Sequence, residues 1–218
     1  MSMRFCPRRT DECVLEQMAA GTMIFKDVSL LVLAGGESSR MGFPKHLLPA
    51  SGGTVTDHII NRLGSMFTEV IVAGRGLELA RTDTRVVEDV RMKRTPLVGI
   101  LSGILAAETS RVFVIGCDMP FVRKQLIHRL VSETGSDVAV PVVRGYYEPL
   151  CAVYCSSAAE KIQLYLDAGG SKVTGFYSSV KVTEVSELEV RRADPLLESF
   201  INLNTPRDYE KWNSAGAE

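Results

Sequence analysis

Short apolar runs alternate with amphipathic stretches along residues 29–136 of this chain. The run SLLVLA (29–34) is continuous and apolar, as expected for a strand that is covered on both faces. In residues 54–67, helical spacing brings the apolar side chains onto one face. The predicted strands are 29–34, 69–74, 85–89 and 111–118, and the predicted helices between them are 54–67, 97–108 and 121–133. This order predicts a parallel sheet with helices on both sides.

The pattern is less regular after residue 136. Residues 201–212 predict the end of a strand and the start of a helix, with Thr205 as N-cap and Pro206 at the first helical position. Residues 1–27 precede the alternating pattern and are interpreted as an N-terminal extension of one domain spanning 28–218. The remaining predicted strands are 137–143, 148–155 and 181–187, with one predicted helix at 156–169.

Composition narrows the classes of function. The 218 residues are 45% hydrophobic and 23% charged, with a net charge of −1, so no overall positive field exists to hold nucleic acid or an anionic membrane. No apolar stretch approaches the ~20 residues of a membrane span, and the N-terminus lacks an apolar signal core. The five cysteines show no disulfide-rich spacing, which predicts reduced thiols. Together these features predict a cytoplasmic protein.

The loop after the first strand carries the strongest chemical signal. It reads LAGGESSRMGFPK (33–45), with Gly35 and Gly36 followed by Arg40 and Lys45. Glycines let a ligand approach the backbone, whose N–H groups can bind anions. Arginine can grip phosphate with two hydrogen bonds, and lysine adds a point charge. At the carboxyl end of a parallel strand, this composition predicts a polyphosphate site. The competing interpretation is a tight turn with solvated cations.

Asp118 is the second chemical candidate. It stands where the apolar run VFVIG ends, which is again the carboxyl edge of the predicted sheet. Magnesium prefers one or two carboxylates together with phosphate oxygens, so Asp118 beside a polyphosphate loop predicts a metal ligand. The alternative is an N-cap of the helix predicted to begin near Phe121.

Five segments, in this order, resemble the motifs of one family. LAGGESSRMGFPK resembles the L-A-G-G-x-x-x-R-M-G-x-x-K signature of Rossmann-like nucleotidyltransferases. The segments TPLVGILSGI (95–104), GCDMPFV (116–122), YEPLCAVY (147–154) and NLNTPRD (202–208) resemble later motifs of the molybdenum cofactor guanylyltransferases, the MobA family. The resemblance implies a single-domain, three-layer α/β/α fold with a mostly parallel sheet and a small antiparallel insertion.

The resemblance also implies a reaction. Family members transfer GMP from GTP to the phosphate of molybdenum-molybdopterin, giving a guanine dinucleotide cofactor and pyrophosphate with the help of Mg²⁺, for which Mn²⁺ is an alternative. Other implied partners are molybdoenzymes and proteins of cofactor biosynthesis. No general base is needed, because the attacking phosphate is already anionic. The resemblance implies that the nucleotide contacts Leu33, Ala34, Gly35, Gly36, Lys45 and Asp118, with Asp89 at its base and ribose end. It implies Arg40, Lys45 and Asp118 as catalytic groups and Asp118 as the metal ligand. Asn202 and Asn204 are implied to face the metal or the pterin phosphate.

Two alternatives stay open at this stage. The sequence G-x-P-K-x-L-L around Pro44 is typical of cytidylyltransferases that act on molybdopterin or on a sugar or alditol phosphate, although Gly35 is an alanine in most of them. A silent nucleotide-binding adaptor for molybdoenzyme assembly is the other alternative. The combination of Arg40, Lys45 and Asp118 speaks against an adaptor, because binding alone needs no metal aspartate.

Overall fold

The computed structural model describes residues 24–35, 48–50, 53–74, 84–91 and 95–214, and all structural statements refer to these residues. The strands are β1 (Val28–Leu33), β2 (Pro49–Ala50), β3 (Gly53–Thr54), β4 (Val70–Ala73), β5 (Arg85–Val87), β6 (Arg111–Gly116), β7 (Val138–Val143), β8 (Tyr146–Tyr147), β9 (Cys151–Cys155) and β10 (Val182–Val185). The helices are α1 (Val55–Leu63), α2 (Pro96–Ala106), α3 (Lys124–Val131), α4 (Ala159–Asp167), α5 (Glu187–Ala193) and α6 (Pro206–Ser214).

The main sheet has the strand order β10-β7-β9-β6-β1-β4-β5, with β8 paired to β7. Strands β6, β1, β4 and β5 are parallel to one another, whereas β9 runs antiparallel to both β6 and β7. Strand β8 is also antiparallel, and β2 and β3 form a separate two-stranded sheet. A mostly parallel sheet with a small antiparallel part is therefore confirmed.

Two hydrophobic cores cover the two faces of the sheet. Side chains alternate along β1, so that Val28, Leu30 and Val32 enter one core and Leu31 and Leu33 enter the other. All six residues of this strand are buried, as its continuous apolar run predicts. The first core includes apolar residues of α1, α3, α5 and α6, and the second includes those of α2 and α4. The three-layer α/β/α arrangement predicted from the resemblance is confirmed.

Local signals set the starts of several helices. Thr54 accepts a hydrogen bond from the backbone of Asp57 at the start of α1, and the Asp57 side chain accepts one back from Thr54. Thr95 caps α2, where Pro96 fills the first position. At α6, the hydroxyl of Thr205 accepts a hydrogen bond from the Asp208 N–H over 3.2 Å, which confirms Thr205 as the predicted cap.

Three predictions about elements were wrong. Helix α3 begins at Lys124 and not near Phe121, and the intervening residues form turns. Residues 201–204 form no strand. Residues 186–187 were predicted to continue a strand, but Ser186 instead caps helix α5 through a reciprocal pair of hydrogen bonds with Glu189. The S-x-x-E spacing is a capping-box signal that could have revealed this helix.

The chain just before β1 already belongs to the packed domain. Phe25 donates its N–H to the Met66 carbonyl over 2.8 Å and packs its ring against Phe67 and His128. The carboxylate of Asp27 accepts two hydrogen bonds from Arg111, at 2.7 and 3.0 Å. Contacts with the domain therefore extend before residue 28. Within the part of the chain described, no helix is long and apolar enough to cross a membrane.

Candidate functional site

Four parallel strands end in register at one edge of the sheet. Leu33 pairs with Gly116 on one side and Ala73 on the other, and Ala73 pairs in turn with Val87. The residues that follow these four ends therefore lie side by side. The strand order also reverses here, because the chain runs outward from β1 to β4 and β5 and then returns past β1 to β6. Ligands of open α/β sheets bind at such a reversal, beyond the carboxyl ends of the strands.

Asp118 lies two residues beyond the end of β6 and is half-buried at this edge. Its carboxylate folds back over the strand end, so that Oδ1 is 2.7 Å from the position that a Cβ on Gly116 would occupy. Helix α3 has Arg123 as its N-cap residue, five positions later, and Arg123 makes no side-chain cap. Asp118 is therefore not the N-cap of this helix, and that alternative was wrong.

The segment before α6 closes against Asp118. The Leu203 N–H donates to the Asp118 carbonyl over 2.8 Å, and the Leu203 side chain is buried in the core. Asn202 and Asn204 flank this contact, and both are exposed. Although the two asparagines are 84 and 86 residues after Asp118 in the sequence, the Leu203 hydrogen bond holds their backbone beside it. The predicted association of Asn202 and Asn204 with the Asp118 region is thus geometrically possible.

Gly35 lies beyond the end of β1, next to Gly74 beyond the end of β4. The Ala34 N–H donates to the Ala73 carbonyl over 2.9 Å, which extends the sheet by one step. Gly35 itself is exposed, and its φ lies outside the left-handed region. A Cβ on Gly35 would lie 3.7 Å from the Gly74 Cα, an ordinary contact. Among the described residues, therefore, no contact requires glycine at position 35.

Leu33 and Ala34 differ from the other predicted nucleotide contacts. Both side chains are buried, with 6% and 2% of their surface exposed. The Leu33 carbonyl accepts a hydrogen bond from the Cys117 N–H over 3.1 Å, and the Ala34 N–H is held by Ala73. Any role of these two residues toward a nucleotide must therefore use the remaining backbone atoms. Their side chains belong to the core.

Asp89 lies two residues beyond β5, at the far end of the row from Asp118. Gly99, in α2, lies close to Asp89. If Gly99 carried a Cβ, that atom would lie 3.7 Å from the Asp89 Oδ1, 3.0 Å from the Leu33 Cδ2 and 3.8 Å from the Ala73 Cβ. The absence of a side chain at Gly99 lets α2 pack beneath these groups. Asp89 and Asp118 are separated by three strand spacings, roughly 14 Å, which leaves room for an extended nucleotide between them.

The remaining predicted residues of the loop lie outside the described part of the chain. They are Gly36, Arg40 and Lys45, within residues 36–47. Their proposed contacts with phosphate therefore stay predictions. The described ends of this loop are Gly35 and Leu48, and the latter is buried and accepts a backbone hydrogen bond from Val55 at the start of α1.

The donor set at Asp118 suits a hard divalent cation. Asp118 offers carboxylate oxygens, and Asn202 and Asn204 on the neighbouring backbone carry amide oxygens; both are ligand types that magnesium accepts. Within the described residues, no group of three or more His, Cys, Asp or Glu side chains is arranged to hold a metal.

His58 and His128 have structural surroundings. The His58 ring packs edge-on against Trp212, and the His128 ring packs edge-on against Phe25. Burial lowers the pKa of both imidazoles, and the charge of Arg62 lowers the pKa of His58 further. Neither belongs to the row of strand ends, so neither is a candidate general base there.

The sequence pattern did not single out Gly116 or Glu148. Gly116 shapes the site by leaving space for the Asp118 carboxylate, and its only sequence signal is its place two residues before that aspartate. Glu148 lies at the same edge because β9 runs antiparallel to β6, with the Gly116 N–H donating to the Leu150 carbonyl over 3.1 Å. Nothing in the local sequence around Glu148 predicts this pairing.

Sequence comparison identifies the relatives of this chain. The family described as the MobA-like NTP transferase domain matches residues 30–181. A probable molybdenum cofactor guanylyltransferase from Natranaerobius thermophilus is 33% identical over 193 residues, covering 85% of this chain and 94% of that protein. A molybdenum cofactor guanylyltransferase from Desulfosudis oleivorans is 34% identical over 192 residues, covering 86% of this chain and 95% of that protein.

Solved structures share the fold. Molybdopterin-guanine dinucleotide biosynthesis protein A from Archaeoglobus fulgidus superposes with a TM-score of 0.73 at 23% identity, covering 86% of this chain and 97% of that one. The 2-C-methyl-D-erythritol 4-phosphate cytidylyltransferase from Thermus thermophilus superposes with a TM-score of 0.65 at 19% identity, covering 87% of this chain and 98% of that one. At these identities the likeness concerns the fold alone.

Proposed function

Because the chain belongs to the molybdenum cofactor guanylyltransferase family of nucleotidyltransferases, we propose that it transfers GMP from GTP to the phosphate of molybdenum-molybdopterin. An oxygen of the acceptor phosphate forms a bond to the α-phosphorus of GTP. The bond from that phosphorus to the oxygen that bridges to the β-phosphate breaks, and pyrophosphate leaves. The other product is the molybdopterin guanine dinucleotide cofactor.

The observation that carries this proposal is the row of strand ends at the reversal of strand order. Asp118, Gly35, Gly74 and Asp89 follow neighbouring strands in that spatial order. A nucleotide lying along this row would have its base and ribose near Asp89 and its phosphates over Gly35, toward Asp118. The acceptor phosphate would then approach from the side of Asp118, Asn202 and Asn204.

Charge and alignment supply the catalysis in this proposal. The acceptor phosphate is already an anion, so the enzyme has to align two anions and to neutralise the charge on the transferring and leaving groups. We assign this role to Arg40 and Lys45 in the loop after β1, together with Asp118. The exposed backbone at Gly35 lets the nucleotide lie close to the chain.

A divalent cation completes the proposed site, with Mg²⁺ as the expected ion and Mn²⁺ as its substitute. Asp118 and the phosphates of the nucleotide would hold it, with Asn202 and Asn204 as neighbours. When bound, the cation supplies positive charge that stabilises the phosphate oxygens in the transition state. The space at Gly116 supports this assignment, because it lets the Asp118 carboxylate lie over the strand end.

The two alternatives are less well supported. Curated relatives that cover most of the chain are named guanylyltransferases, and the likeness to a cytidylyltransferase is at only 19% identity. A silent adaptor would have no use for the half-buried carboxylate at Asp118. We also propose a cytoplasmic location, which the free thiols of Cys117, Cys151 and Cys155 in the described part of the chain support. Transfer of the product to molybdoenzymes is proposed from the family resemblance.

Pyrophosphate release tests the proposed function directly. The purified protein would be incubated with each nucleoside triphosphate, with and without the molybdopterin acceptor, and in the presence of Mg²⁺, Mn²⁺ or a chelator. We expect release that needs GTP, the acceptor and a divalent cation together. Absence of release under every condition would favour the adaptor, and release with CTP alone would favour the cytidylyltransferase.

A further inference from the structure

A second carboxylate, Glu148, lies at the same sheet edge as Asp118. Strands β6 and β9 are antiparallel, and the Gly116 N–H donates to the Leu150 carbonyl over 3.1 Å. Asp118 and Glu148 each lie two residues beyond this bond, where both segments leave the sheet. Glu148 is therefore on the opposite side of Asp118 from Gly35, Gly74 and Asp89.

The backbone holds Glu148 firmly in this position. Its N–H donates to the Pro141 carbonyl over 3.0 Å, and its carbonyl accepts from the Cys151 N–H over 3.1 Å. Cys151, three residues later, has its side chain in the same core as Leu203. Burial raises the pKa of the Cys151 thiol, and the Glu148 charge raises it further. The Glu148 backbone therefore leads into β9 at the sheet edge where the Leu203 N–H meets the Asp118 carbonyl.

Within the described residues, no hydrogen bond explains the position of this carboxylate. Glu148 is half-buried, yet within the described part of the chain its carboxylate accepts no hydrogen bond. The neighbouring Glu184 and Glu187 behave differently, since Glu184 accepts from the Tyr147 hydroxyl and Glu187 from the Arg144 N–H. Burial removes part of the water around this carboxylate, and donors from a ligand would replace the hydrogen bonds that are lost.

Arg144 is the charged group that acts on Glu148. Burial raises the pKa of the Glu148 carboxyl, and the nearby Arg144 guanidinium opposes that rise. Arg144 has a left-handed φ of 53° in the β7–β8 turn, where the Glu187 carboxylate accepts its N–H over 2.7 Å. Arg144 and Gly145, with φ of 53° and 79°, form the two-residue turn between β7 and β8, and the turn keeps the Arg144 backbone near Glu148.

The Asp89 end and the Glu148 end of the site differ in what they can recognise. In the proposed function the nucleotide extends from Asp118 toward Asp89, so the space beside Glu148 remains for the acceptor. The pterin ring of molybdopterin carries a 2-amino-4-oxopyrimidine, which presents a ring N–H and an amino group side by side. A carboxylate accepts from both donors at once, as it does from the parallel donors of a guanidinium.

We propose that Glu148 determines acceptor specificity by accepting the paired N–H donors of the pterin ring. This inference rests on the proposed function, because it assumes that a pterin is the acceptor. Arg144 is placed to neutralise part of the charge on this side of the site. In this proposal Glu148 selects the acceptor and makes no contact with the guanine of GTP.

Two matched probes test the proposal without any turnover. 6-Carboxypterin and 6-carboxylumazine differ only in the 2-amino group, which is an oxo group in the lumazine. Their dissociation constants would be measured by fluorescence with the protein saturated by Mg²⁺ and a GTP analogue that cannot be cleaved between the α- and β-phosphates. We expect the pterin to bind at least about tenfold more tightly, which is about 1.4 kcal/mol, and Glu148→Gln to reduce this ratio to near one. Equal binding of the two probes by the unaltered protein would overturn the proposal.

Steady-state kinetics then separate this proposal from the proposed function. Glu148→Gln should raise KM for the molybdopterin acceptor about tenfold or more and leave KM for GTP unchanged. The control is Glu160→Gln, an exposed residue in the first turn of α4. A rise in KM for GTP instead would overturn the role of Glu148 while guanylyl transfer stands. A protein that selects the pterin probe but releases no pyrophosphate would support Glu148 and refute the proposed function.

Discussion

The carboxylate of Asp118 occupies the space that a side chain on Gly116 would need. Its Oδ1 lies 2.7 Å from an ideal Cβ on Gly116, and the Met119 Cγ and Sδ lie 3.7 Å from it. The two residues are separated by Cys117, and their relative placement follows from the turn after β6, where the Met119 N–H donates to the Gly116 carbonyl over 3.1 Å. The position of the predicted metal ligand therefore depends on glycine at 116.

Gly116→Ala tests this dependence. The added methyl group collides with the far end of a flexible side chain, so we expect Asp118 to shift and the fold to persist. Turnover should fall roughly tenfold or more, because misplacement by about an ångström costs heavily in aligned reactions. The measurements are kcat and the melting temperature. The control is Gly64→Ala at the C-cap of α1, where a Cβ would lie 3.3 Å from the Val70 Cγ2; this tight contact is expected to lower the melting temperature slightly and to leave activity unchanged. Unchanged turnover in Gly116→Ala would contradict a role for the Asp118 position.

Asp118→Asn tests the carboxylate itself. Asparagine has nearly the same shape but no charge, so the melting temperature should change little. We expect turnover to fall about a hundredfold or more, because electrostatic groups at such transition states commonly contribute about 3–4 kcal/mol. Titration with Mn²⁺ and Mg²⁺ should show that half-maximal activity needs a higher metal concentration than in the unaltered protein. Near-normal kcat at ordinary Mg²⁺ concentrations would exclude Asp118 as a metal ligand, and Glu160→Gln serves as the charge control.

Lys45→Ala tests the predicted phosphate loop. Negative charge grows on the leaving pyrophosphate in the transition state, so a lysine that contacts it contributes more to turnover than to binding. We expect kcat to fall by a larger factor than the affinity for GTP, measured by calorimetry in the absence of acceptor. Lys161→Ala, on α4, is the matched control. Equal losses in kcat and affinity would reduce Lys45 to a binding residue.

Gly35→Ala tests the preference for guanine. A Cβ at this position would make an ordinary contact with the Gly74 Cα at 3.7 Å, so stability should be unaffected and any effect reports on the ligand. We expect the unaltered protein to prefer GTP to CTP and ATP in kcat/KM. The substitution should lower kcat/KM for GTP more than for CTP, since the larger purine ring would lie closer to the loop. Equal use of GTP and CTP by the unaltered protein would refute the guanylyl assignment and leave nucleotidyl transfer standing.

Two truncations test the predicted N-terminal extension. Removal of residues 1–27 is expected to leave catalysis nearly unchanged at moderate temperature, because no predicted site residue lies there. It should nevertheless lower the free energy of unfolding by about 1–3 kcal/mol, since Phe25 and the Asp27–Arg111 ion pair are lost. Removal of residues 1–23 keeps Phe25 and Asp27, so it should leave both catalysis and the free energy of unfolding unchanged. Loss of activity in the shorter truncation would show that the extension takes part in the site or in assembly.

The sequence by itself determined the layers of the fold and the edge on which the site lies. A strand covered on both faces is apolar along its length, so the run at 29–34 identified a central strand without knowledge of its neighbours, and the structure places that strand at Val28–Leu33. Helical spacing of apolar residues predicted α1, and small and apolar content predicted α2, whereas the structure added their caps at Thr54 and Thr95. Since parallel strands all end at the same edge, Asp118 could be assigned to the edge of the phosphate loop from its position after an apolar run.

Only the tertiary structure decided which distant segments meet at that edge. The hydrogen bond from Leu203 to Asp118 and the pairing of Gly116 with Leu150 join residues that are far apart in the chain, and no local pattern specifies such contacts. Local signals also misled where they were weak, as at the start of α3, which lacks a side-chain cap. The neighbourhood of Asp118 and Glu148 follows from the antiparallel direction of β9, because strand order and direction are set by the packing of the whole sheet and not by the residues of any one strand.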